Sequence, residues 1–199
     1  MDSFLARLGL DDQPWLQPAL VGAIFLASLL AAAVFHKLLF PLILRLSLRT
    51  PTDLDSRSLR ATRLPLTLGL VVLGAYLALN LPLDLGPRSQ GWLDTGASVL
   101  GVLLGIVAVA AMASQTFDWY IESAGFKAMP RVGFRLMPLL RRISSAVIYG
   151  LGGLLVLDLL NININPLVAS LGLGGLAVAL AIQPTLANLF AGTYVMTEG

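Results

Sequence analysis

The chain has no cysteine and a single histidine, His36. The first absence excludes a disulfide framework, a thiolate metal site and a cysteine nucleophile. The second leaves His36 without a partner for metal binding, so no metal and no cofactor are expected. Charge is also scarce, at 12% of residues against about 25% in an ordinary soluble domain. No HExxH, GxSxG or phosphate-loop lysine occurs, so no catalytic constellation is visible and the chain does not read as an enzyme. The glycines at Gly172, Gly174 and Gly175 lie inside an apolar run with no strand before them, which rules out a nucleotide-binding loop.

What the chain has instead is apolar length. Hydrophobic residues make up 57% of it and its mean hydropathy is +0.84. A core of this size cannot bury that much apolar surface, so the solvent for most of it is lipid. A helix needs about 20 apolar residues to cross a bilayer, and five stretches qualify: 19–44, 64–81, 92–117, 143–160 and 165–197. The expected fold is therefore all-α, with five transmembrane helices. A short external segment, 1–18, precedes three peripheral helices over 19–142, and the fourth and last helices fill 143–199. Pro65 reads as a first-turn proline of the second span.

Of thirteen Lys and Arg residues, five fall in 45–63 and five in 118–142. Both stretches read as loops on the same side of a five-span chain. The positive-inside bias makes that side cytoplasmic, with the N-terminus outside and the C-terminus inside. A bacterial inner membrane is the expected setting. Arg131, Arg135, Arg141 and Arg142 can contact anionic headgroups, or act only as topology determinants. Asp158 stands near the outer end of the fourth span. It reads either as a carboxylate reaching the interface or, in a secondary transporter with a helix broken at Pro184, as a coupling group. No internal repeat supports the transporter. Asn161, Asn163 and Asn165 read as caps of the outer turn, with Pro166 in the first turn of the last helix.

The stretch 165–197 organises the rest. Its first half is uncharged and crowded with Gly and Ala. Pro184 cannot donate to the carbonyl of Leu180, and a kink or break between Leu180 and Pro184 is expected. At about 100° per residue, Gly172, Leu176, Ala179 and Gln183 share a stripe with Leu180 beside it. Gly175 and Ala179 lie towards one flank, and Ala169 and Ala177 towards the other. Small flanks allow close approach between helices, which in lipid must supply the association. Rings of Leu176 and Leu180 would then form an apolar constriction that excludes ions by dewetting. Any tightly packed membrane helix shares this composition, so the residues alone leave both pore lining and plain packing open.

The run GLGGLAVALAIQPTLANLFAG, 172–192, resembles the third transmembrane helix of the mechanosensitive channel of small conductance (MscS) family, in one register of glycines, leucines, a glutamine and an asparagine. The resemblance implies that Leu176 and Leu180 form the gate and that Gly172, Gly175 and Ala177 are packing positions. It assigns Gln183 to the pore end and Gly192 to the second half-helix. Two departures stand out: Pro184 replaces a hinge glycine, and Leu173 replaces a small packing residue. The resemblance further implies a tension-gated homo-oligomer, a heptamer, with membrane lipids as partners. It would pass small ions and osmolytes under hypo-osmotic shock. A cytoplasmic β domain is expected after residue 199.

Overall fold

The computed structural model describes residues 16–42, 54–81, 86–123 and 131–198. Helix α1 runs over Leu16–Val34 and continues through a wider π turn, Phe35–Leu39, into one further α turn. It is followed by α2 (Leu54–Asn80), α3 (Pro87–Ser123), α4 (Arg131–Leu159) and α5 (Asn165–Glu198). All five are long and apolar enough to cross a membrane. Of the segment expected over 1–18, residues 1–15 lie outside the described residues and Leu16–Pro18 open α1; Arg45, Arg49 and Lys127 also lie outside the described residues.

Helices α2, α3 and α4 outrun the spans read from hydropathy, while α5 matches its expected span to within a residue. Helix α3 has 37 residues and α5 has 34, roughly 55 Å and 51 Å at 1.5 Å per residue, against a hydrocarbon core of about 30 Å. Helix α2 begins ten residues before the expected start at 64, and α4 begins twelve before 143. The basic stretches 45–63 and 118–142 are thus not simply loops. Arg57, Arg60 and Arg63 lie in the first turns of α2, and Arg131, Arg135, Arg141 and Arg142 in the first half of α4. Hydropathy marks where the lipid ends, and a helix with satisfied backbone bonds continues past that edge into the headgroups. For the same reason Pro65 falls inside α2, not in its first turn. Pro87 takes the first-turn position of α3 instead.

The chain divides into two compact units, Met1–Leu160 and Asn161–Gly199. In the first, the helices pack in chain order: α1 on α2, α2 on α3, α3 on α4. Among the described residues its buried apolar positions are few and mostly small: Ala32, Ala78 and Ala110, with Phe40 the one large side chain. Small residues at the contacts let backbones approach, which is how helices associate where lipid removes the hydrophobic drive. Gly74 of α2 sits so close to Ser28 of α1 that a methyl group at 74 would overlap the Ser28 side chain at its Cβ. Gly152 of α4 faces Ile106 of α3 in the same way.

The second unit opens with Asn161 at φ 58°, the left-handed conformation that ends a helix and that asparagine tolerates better than most residues. The Asn163 side chain accepts the backbone N–H of Asn165 at 3.1 Å, a cap of the kind expected from the asparagines. Pro166 occupies the first turn of α5. The helix then runs without interruption through Pro184, so 165–198 is one helix and the break considered above is not there.

Replacing Gly74 with Ala is expected to destabilise the bundle by about 1–3 kcal/mol through overpacking against Ser28. Gly69→Ala in the same helix meets open space and gains up to about 1 kcal/mol of helix propensity. Thermal unfolding of the two purified variants in detergent separates them.

Candidate functional site

Every residue assigned to the pore lies on α5. Ala169, Gly172, Gly175, Leu176, Ala177, Ala179, Leu180, Gln183, Pro184 and Gly192 all fall within Asn165–Glu198. Leu176 is 58% and Leu180 60% exposed in the single chain. None of Gly172, Gly174, Gly175 or Gly192 has a positive φ, so the helix does not require glycine at these positions. Each glycine lowers helix propensity by about 1 kcal/mol relative to alanine. A role for their small size has to lie in close approach to another helix. Pro184 removes the donor to the Leu180 carbonyl. From Asn165 to Gln183 the helix measures about 28 Å, close to one hydrocarbon thickness. Pro184 therefore follows one bilayer's worth of helix.

Polar side-chain contacts between helices join α1 to α2, α2 to α3 and α3 to α4 in the first unit, and the sequence reading did not find them. Helix α1 carries a proline, Pro41, two residues beyond its π turn. Its ring crowds the preceding turn, and it has no N–H. Within the turn the Phe40 N–H goes to the Phe35 carbonyl, five residues back. In that register the carbonyl of His36 would look to residue 41, which has no donor. The partner comes from α2: Arg63 Nη2 donates to the His36 carbonyl at 2.9 Å. The same guanidinium lies over the Phe40 ring, 5.1 Å from its centroid. The Thr67 hydroxyl donates to the Arg63 carbonyl at 2.7 Å, and His36 Nδ1 is 3.3 Å from Thr67 Oγ1. With the hydroxyl proton committed, the imidazole is the donor.

Two ion pairs join the next interfaces at the same end. Arg57 Nη1 of α2 meets Glu122 Oε2 of α3 at 2.5 Å, and Arg141 Nη1 of α4 meets Asp118 Oδ1 of α3 at 2.6 Å. Arg141, a candidate lipid contact, is thus committed to Asp118. Arg142 beside it is exposed. The side chains of Arg131 and Arg135 lie outside the described residues. Asp118 and Glu122 stand one helical turn apart, a spacing the sequence displays, but nothing in it says that each faces a different neighbour. At the far end Tyr76 donates to Asp94 across α2 and α3 at 2.9 Å. Asp158 is exposed in the last turn of α4. Among the described residues no cluster of three or more metal-ligating side chains occurs.

A second prediction concerns the π turn. Arg63→Met leaves the His36 carbonyl without its donor at the membrane edge, at a cost of about 1–3 kcal/mol. Pro41→Ala restores an N–H to that turn. In a double-mutant cycle on thermal stability, Pro41→Ala is expected to offset part of the Arg63→Met loss. Strict additivity would contradict the assignment.

The family model for the mechanosensitive ion channel, transmembrane helices 2/3, matches residues 142–183. That range is most of α4 and α5 as far as Gln183, stopping one residue before Pro184. A large-conductance mechanosensitive channel of Methanocaldococcus jannaschii is 29% identical over 155 residues, covering 77% of this chain and 43% of that protein. An uncharacterised MscS family protein of Bacillus subtilis is 29% identical over 185 residues, covering 88% of this chain and 47% of its own length. One from Helicobacter pylori reaches 49% identity over 43 residues, 22% of this chain and 7% of that protein. The chain spans about half the length of the first two relatives. No solved structure matches it significantly. With the helix 2/3 match falling on α4 and α5 and matches at 29% identity extending over most of the chain, this chain is similar to the membrane part of MscS family mechanosensitive channels.

Proposed function

We propose that the protein is a tension-gated channel in which α5 lines the pore and α1–α4 form the peripheral part that meets the lipid. The observation that carries this reading is the family match over α4 and α5, which ends at Gln183. Identical chains surround one axis, a heptamer by family resemblance. Gly172, Gly175, Ala169, Ala177 and Ala179 allow neighbouring α5 helices to approach, and Leu176 and Leu180 form two apolar rings one turn apart. Ions do not enter such a constriction while it is narrow and dry. Membrane tension favours whichever state has the larger in-plane area, so a ring that widens on opening is shifted towards the open state by its differential area.

Helix α5 is longer than the bilayer is thick, and Pro184 stands where its membrane part ends. A bend there directs 185–198 along or away from the membrane surface, with Gln183 at the pore end and Gly192 in the distal half. The basic ends of α2 and α4 face the cytoplasm, which places the N-terminus outside and the C-terminus inside. In a bacterial inner membrane the open pore would release small ions and osmolytes during hypo-osmotic shock. The transporter reading needs Asp158 at a shielded site near the midplane, and its exposed place in the last turn of α4 favours an interfacial carboxylate instead.

Leu176→Ser and Leu180→Ser are the direct test, expressed in host cells lacking their own mechanosensitive channels. Lowering a dewetting barrier by about 1.4 kcal/mol raises leak about 10-fold, so both variants are expected to slow growth and open at lower suction. Val178→Ser, on the opposite face of the helix, should behave as wild type. Normal growth and threshold in both leucine variants would remove the gate from these residues.

A further inference from the structure

We propose that Arg57, Arg63 and Arg141 are positioning residues that clamp α1–α4 into a single lever at their basic end. Each of the three helix contacts in this unit carries one arginine there. Arg63 ties α2 to the π turn of α1 through the His36 carbonyl at 2.9 Å. Arg57 ties α2 to Glu122 of α3 at 2.5 Å. Arg141 ties α4 to Asp118 of α3 at 2.6 Å. Helix α3 is the middle member of the last two, with its acids one turn apart and each turned to a different neighbour. At the opposite end the described residues supply one side-chain link of this kind, Tyr76 to Asp94.

The asymmetry has a mechanical meaning. The polar links concentrate where the helices leave the hydrocarbon, while the contacts further along depend on small apolar residues and close backbones. Tension applied to the unit therefore meets helices fastened to one another at the basic end. They tilt together, and the displacement reaches α5 undivided. Cut the clamps and each helix yields separately, so more tension is needed for the same opening. The pairs are partly exposed, with side chains 38% and 57% accessible for Arg57 and Glu122 and 44% and 32% for Arg141 and Asp118. Each is accordingly a modest link, and the effect comes from their arrangement in series. The functional half of this inference rests on the channel reading above; the clamps themselves do not.

The test uses Asp118→Asn and Glu122→Gln, which break the two ion pairs while leaving every Lys and Arg in place, so the basic residues that set topology are unchanged. Residues 1–199 lack cysteine, so spin-label pairs placed here have no background in the full-length protein once any cysteine outside them is replaced by serine. Leu64→Cys with Thr116→Cys spans α2 and α3, and Thr116→Cys with Leu139→Cys spans α3 and α4. Each neutral variant is expected to broaden the distance distribution across its own interface. At a fixed intermediate tension it should also lower the open-to-closed ratio roughly 2- to 5-fold. The swap Asp118→Arg with Arg141→Asp should restore both readouts. Unchanged distances in Asp118→Asn and Glu122→Gln overturn the clamps. Broadened distances with an unchanged or lowered tension threshold overturn the lever. A wild-type protein without tension-activated current defeats the channel reading, and the label distances still decide the clamps.

Discussion

A carbonyl that loses its helical partner in hydrocarbon has no water to turn to, and much of this chain is arranged around that constraint. Five long helices satisfy nearly all of the backbone internally. Prolines interrupt the pattern, and Pro41 shows how one interruption is met. The helix widens to a π turn, and the carbonyl that would need the N–H of residue 41 takes a guanidinium from the next helix. A backbone defect in α1 thereby becomes an attachment point for α2. Pro184 imposes the same deficit on the Leu180 carbonyl within α5. The proposed gate and the proposed bend are thus neighbours along one helical turn.

Lipid also removes the hydrophobic drive between helices, so contact must come from shape and from polar links near the ends. Gly74 against Ser28 and Gly152 against Ile106 supply the shape in the first unit. Arg57, Arg63 and Arg141 supply the links. In α5 the same logic runs through glycines that the helix itself does not need, which is why association with other copies of α5 is the natural reading of their presence.

The number of spans could be read from the sequence because runs of about 20 apolar residues have few other uses. Their limits could not, because hydropathy reports the lipid edge and helices α2, α3 and α4 continue beyond it. Pro65 misled for that reason: it stands near the edge of the apolar run, yet inside the helix. The asparagine caps before α5 were legible because Asn163 acts on a neighbour two residues away. The family resemblance was legible as a motif over Gly172 to Gly192 in one register, and the family match covers that stretch as far as Gln183. The clamps were not. Arg141 looks like any basic residue flanking a span until α3 and α4 are set in register and Asp118 falls opposite it.

The central claim is that tension opens a pore through this protein, and suction on a membrane patch tests it most directly. Full-length protein in giant spheroplasts lacking endogenous channels should give stepwise currents that appear with suction, close on its release and are missing from vector-only patches. Silence up to rupture, with the protein shown to be in the membrane, would contradict the account and leave the glycines of α5 as packing alone.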